Sequence, residues 1–113
     1  GDFKYSNEVD VNFIFVDDFR LSQNYPNPFN PTTTIEYQIP KTSFVTIKVY
    51  DALGKEIVTL VNEEKPAGIH EVNFSAIGGS ASGREPKNLT SGLYLYKISA
   101  NGFEQTRKML LLK

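Results

Sequence analysis

Residues 21–31 read LSQNYPNPFNP, and residues 32–40 continue TTTIEYQIP. Pro26, Pro28 and Pro31 fall within six positions, interleaved with Asn24, Asn27 and Asn30. Proline fixes φ, lacks an N–H and pushes the residue before it toward extended geometry. Asparagine accepts turn conformations that most residues avoid. The run is therefore not helix, and three missing ladder donors make it a poor central strand. Leu21, Tyr25 and Phe29 nevertheless recur four apart. The reading is a rigid, extended lead-in whose large side chains plug onto a β-domain beginning at Thr33.

Downstream of this run, alternation and turn chemistry divide the chain into strands. Thr33–Ile39 puts Ile35, Tyr37 and Ile39 on one face and stops at Pro40. Phe44–Asp51 alternates through Val45, Ile47 and Val49. Asp51-Ala52-Leu53-Gly54 then makes a tight turn, with Gly54 supplying a positive φ, and Lys55–Val61 returns. Residues 62–68, polar and carrying Pro66 and Gly68, read as a loop. Ile69–Phe74 is a short strand. Residues 75–91, rich in Gly and Ser, read as a long loop, of a kind that is either functional or disordered; disorder is the reading adopted. Gly92–Ser99 and Glu104–Leu112 form a hairpin across Asn101-Gly102, a strong two-residue turn. Within LTSGLYLY, Tyr94 suggests a tyrosine corner, its hydroxyl bonding back to upstream backbone.

Upstream, Val9, Val11, Phe13 and Phe15 alternate with Asp10, Asn12, Ile14 and Val16, which reads as one more strand at 9–16. The stretch 5–16 opens with YSNEV, which resembles the start of the last strand of a fibronectin type III domain. Residues 1–18 are thus either the tail of a preceding domain or a linker, or they supply this domain's first strand. An unpaired apolar strand seeks a partner, so 9–16 is expected to pair within the molecule or by strand exchange with a second copy. Seven β segments, no helical periodicity and turns every eight to twelve residues describe an all-β, immunoglobulin-like antiparallel sandwich.

Composition narrows the function classes. Net charge is −1, without the clustered basic face of a nucleic-acid binder. No run reaches the ~20 apolar residues of a membrane helix. Cysteine is absent and His70 is the only histidine, which argues against zinc and against Ser–His catalysis. Neither Asp10, Asp17 and Asp18 nor Glu63 and Glu64 has the spacing of a calcium loop. No cofactor motif is present, and an enzyme is not expected.

LSQNYPNPFNPTTTIEYQIP, VTIKVYDALGKEIVTLV, PAGIHEVNF, LTSGLYLYKI and TRKMLLLK, in that order, resemble the type A C-terminal sorting domain of cargo proteins of the bacterial type IX (Por) secretion system. The resemblance spans residues 19–113. It implies a non-catalytic label read by the secretion machinery in the periplasm and conducted across the outer membrane. A sortase-like cysteine peptidase would then remove it, leaving the cargo secreted or at the cell surface. By resemblance the recognition residues are Gly92, Tyr94, Lys108, Met109, Leu110 and Lys113. The lead-in motif is Asn24, Tyr25, Pro26, Asn27, Pro28 and Phe29. Processing is expected near Asp17, Asp18, Phe19 and Arg20. The 75–91 loop is longer than the family's usual gap. Apolar residues on both faces of the last strand leave two readings: one face offered to a partner, or both covered within the domain. A competing function is an accessory carbohydrate-binding or structural sandwich of a secreted hydrolase or adhesin, which would need a row of exposed aromatics.

Overall fold

Alternating burial organises the chain from Thr32 onward. The computed structural model describes residues 18–76 and 89–113. Among these are seven strands: β1 Arg20–Leu21, β2 Thr32–Ile39, β3 Ser43–Asp51, β4 Glu56–Lys65, β5 Gly68–Ser75, β6 Gly92–Ala100 and β7 Phe103–Leu111. They form two antiparallel sheets, β1-β2-β5 and β4-β3-β6-β7, the layered all-β arrangement expected. The strand read at 9–16, with its pairing and strand exchange, lies outside the described residues, as do Asp17 and residues 77–88 of the long loop.

Period-two burial places the core where the alternation put it. Ile35, Tyr37 and Ile39 of β2 face Val45, Ile47 and Val49 of β3 and Tyr94, Tyr96 and Ile98 of β6 in one cluster. Met109 and Leu111 complete it from β7. The β3–β4 turn follows its local chemistry. Gly54 has φ 89°, and its N–H donates to the Asp51 carbonyl at 2.9 Å. Asp51 Oδ1 accepts from the N–H groups of Leu53 (3.0 Å) and Lys55 (2.9 Å). Asn101 and Gly102, both at positive φ (52° and 88°), join β6 to β7, the geometry a two-residue hairpin requires.

Two expectations are corrected. The polar run after Val61 is not loop: β4 continues to Lys65, with Val61–Lys65 paired to Ser43–Ile47. These residues are polar because the strand is an exposed sheet edge, where charge discourages further pairing. The connection to β5 shrinks to Pro66-Ala67. In the lead-in, Leu21 and Phe29 are buried as expected, but Tyr25 is 80% exposed. The inward position belongs instead to Asn24, only 2% exposed. The segment is not periodic at four because it changes partner along its length. It pairs with β2 through Arg20, Leu21 and Tyr25, then with β7 in parallel through Phe29. All three X–Pro bonds in it are cis.

Candidate functional site

The residues singled out at 24–29 and 108–113 lie far apart in sequence and meet along one seam. Phe29 N–H donates to the Leu110 carbonyl at 2.9 Å, and Leu112 N–H donates to the Phe29 carbonyl at 3.1 Å. Leu110 N–H donates to Asn27 Oδ1 at 3.0 Å. Higher up, Gln23 Nε2 donates to the Lys108 carbonyl (2.7 Å) and Arg107 Nε to the Leu21 carbonyl (2.7 Å). The lead-in therefore occupies the outer edge of β7 around Leu110, and strand addition there would require its removal. The Phe29 ring is driven into the core, where it meets Phe74 edge-on at 6.0 Å.

Behind the seam sits a fully paired polar knot. Tyr96 hydroxyl donates to the Ser22 carbonyl (2.6 Å) and accepts from Asn24 N–H (2.8 Å). Asn24 Nδ2 donates to Thr33 Oγ1 (3.0 Å) and the Pro26 carbonyl (3.1 Å). A buried asparagine among prolines is tolerable because its amide replaces the ladder bonds that proline cannot make. Burial, partly offset by the Asn24 bond and the Arg107 charge, pushes the Tyr96 pKa up to about 12 from 10.0. A raised pKa means the folded state holds its proton longer. The stabilisation is complete below pH 10 and is lost between pH 10 and about 12. Two pH units correspond to roughly 2–3 kcal/mol. Tyr96→Phe should cost about 1–3 kcal/mol at pH 7, leaving Asn24 N–H unpaired, and should flatten the alkaline fall in urea midpoint. An unchanged midpoint at both pH values would contradict the knot.

The terminal half-turn of β7 splits by face. Met109 and Leu111 are buried, whereas Leu110 (36%) and Leu112 (50%) are exposed. Leu93 of β6 lies opposite Leu110 in the ladder and is also exposed. Lys108 and Lys113 flank this leucine patch on the solvent side. The chain end is tied down, since Lys113 N–H donates to Ser91 Oγ at 2.9 Å. Tyr94 makes the expected corner, its hydroxyl donating to the Thr90 carbonyl at 2.7 Å. Gly92, at φ 151°, faces open space where a Cβ would stand, so its requirement is one of backbone conformation.

The recognition residues named from sequence thus divide. Leu110, Lys108 and Lys113 are accessible, while Tyr94 and Met109 belong to the interior. Leu93 and Leu112 lie inside the segments that the resemblance implies, 92–94 and 108–113, whereas Ser91 and Tyr96 lie outside them. Their places depend on cross-strand neighbours that local patterning does not display. Phe19 and Arg20 are part of the folded body: Phe19 stacks on Phe103 at 5.2 Å and Arg20 pairs with Gln38. Asp18 stands exposed just before them. Of the four tyrosines that a carbohydrate-binding platform would draw on, Tyr37, Tyr94 and Tyr96 are buried and Tyr50 is half-buried. Among the described residues no helix is long and apolar enough to cross a membrane, and no group of three His, Cys, Asp or Glu could hold a metal ion.

Comparison with curated protein sequences gives no match. Among solved structures, the fold is similar to part of dimeric latent PorU from Porphyromonas gingivalis. The TM-score is 0.61 at 18% identity, over 93% of this chain and 10% of that one. The sequence model described as "Secretion system C-terminal sorting domain" matches residues 23–112, a span that runs from the lead-in to the leucine patch. With that match covering most of its length, the chain belongs to the secretion system C-terminal sorting domain family.

Proposed function

We propose that the folded chain is the label that sends a cargo protein through the type IX machinery to the cell surface or beyond, and that the label acts by being bound rather than by catalysis. The observation that carries this reading is the split at the end of β7. Met109 and Leu111 satisfy the core, yet three leucines remain in the open on one patch at the terminus. Clustered exposed apolar residues mark interaction sites more often than scattered ones do. A sortase-like cysteine peptidase would cut before Phe19, because from that residue onward the chain is committed to the sandwich. Asp18, exposed immediately before Phe19, is then the accessible residue of the processing region.

A label read at this leucine patch is sensitive to a folded body fused directly beside it, after Lys113. A small folded tag appended there should hold an exported reporter fusion in the periplasm without changing its melting temperature, as fractionation and thermal denaturation would register. Undiminished export of the tagged protein would favour a spacer that is not read at its end.

A further inference from the structure

The sandwich has two flanks. On one, β1 and the lead-in close against β7. Among the described residues the sheet β1-β2-β5 has one strand fewer than β4-β3-β6-β7, so the shortfall falls on the other flank. There β4 and β5 border an open cleft of about 410 Å³, with Tyr37, Leu60, Val61 and Val72 in its lining.

The β5 side of this cleft ends in an open strand edge. Backbone groups of Thr34 and Glu36 bond the lead-in, through Tyr25 and Ser22 at 2.9 Å. The alternate residues Ile35 and Tyr37 therefore serve β5 at Val72 and His70. Antiparallel alternation then directs the N–H and C=O groups of Ile69, Glu71 and Asn73 away from β2. β5 has neither proline nor a break in register, and a long regular edge of this kind is one that proteins usually cover. Ile69, at 42%, is also the one exposed large apolar side chain of the three-stranded sheet among the described residues.

We propose that residues 9–16 of this same chain supply the fourth strand, paired antiparallel to the edge of β5 with Ile14 opposite Ile69, Asn12 opposite Glu71 and Asp10 opposite Asn73. Direction follows from the sheet. β1 and β5 are both antiparallel to β2, and Arg20 and Ile69 both pair with Gln38. A segment leading into Arg20 therefore arrives at the Ile69 end and runs against β5.

Register follows from side-chain type and reach. In this register Ile14 meets Ile69, the polar residues share the outer face, and Val9, Val11 and Phe13 turn toward the cleft. A slip of one residue would put those apolar side chains in water. With Asn12 at Ile69 instead, Asp10 would oppose Glu71, an unfavourable like-charge pair. With Val16 at Ile69, only four residues lead to Arg20, an extended reach of about 13–14 Å. The added strand lies three strand spacings from β1, roughly 14 Å, which leaves no chain for rounding β2 and β5. From Ile14 there are six residues and roughly 20 Å.

Because 9–16 precedes Asp18, a cut before Phe19 would open this edge only on the severed label. The leucine patch lies on β6 and β7, away from this flank, so the pairing and the read-out at the terminus can each fail without the other.

The test uses the whole 1–113 chain, which has no native cysteine. Asn12→Cys with Glu71→Cys puts thiols on directly opposed residues, about 5.5 Å apart at Cα in a hydrogen-bonded pair, a span that a disulfide bridges. Under mild oxidation the bond should close within one molecule, as non-reducing electrophoresis and native mass report. Asn12→Cys with Glu64→Cys, on exposed β4, should not close. Separately, Asn12→Pro removes an N–H that faces β5. It should speed amide exchange at Glu71 and Asn73 by about tenfold and leave the Tyr96 amide unchanged. No bond between 12 and 71, a bond joining two copies, equal closure of both pairs, or unchanged exchange at Glu71 would each overturn the proposal.

Discussion

Phe29→Ala is expected to destabilise the fold by about 3–5 kcal/mol, the usual cost of deleting a fully buried aromatic ring. That is a large part of the roughly 5–15 kcal/mol that holds a domain of this size together. Two losses combine. The ring fills the space beside Phe74 and is 1% exposed. Its own backbone also bridges Leu110 and Leu112, so a cavity at this point loosens the seam that holds the chain end. The contrast is Tyr25→Ala, four residues earlier in the same proline-rich run. At 80% exposure, Tyr25 should be worth no more than about 0.5 kcal/mol. Urea unfolding of the two variants beside the parent measures both. Similar small losses would mean that the lead-in rests on the sandwich without being part of its core.

Leu110→Ser combined with Leu112→Ser is expected to leave the fold nearly untouched and to abolish most export. Both side chains face solvent and contribute little to the core. If a receptor covers them, each substitution removes roughly 1–3 kcal/mol of burial, so the pair is worth about thirtyfold in affinity at the least. Removing residues 108–113 outright is a less informative experiment. It also deletes Met109 and Leu111 from the core and the Phe29 pairing from the edge, so failed export would follow from unfolding alone. The double variant separates these causes. Export at the parental level with an unchanged melting temperature would remove the leucine patch from the read-out.

Legibility followed the range of the interactions. The turns at Asp51–Gly54 and Asn101-Gly102 and the Tyr94 corner are settled by neighbours within four residues, and the alternation of β2, β3 and β6 declares which face is buried. The features that sequence misplaces depend on distant partners. Nothing near Asn62–Lys65 announces a strand; the pairing is supplied by Ser43–Thr46. Asn24 rather than Tyr25 turns inward because Tyr96, 72 positions away, offers its backbone an acceptor. For the same reason the site was half legible. Its motifs could be located along the chain, but which face of the final apolar run is covered depends on how β7 packs on the distant strands of the core, which leaves Leu110 and Leu112 outside.

The central claim is that this folded chain suffices as an export label. The direct measurement fuses it, with its C-terminus free, behind a signal peptide and a fluorescent reporter, in a bacterium with a working type IX system and in the same strain with that system inactivated. The account predicts reporter at the surface or in the medium of the first strain and in the periplasm of the second. Periplasmic retention in both strains, or equal release from both, would contradict it.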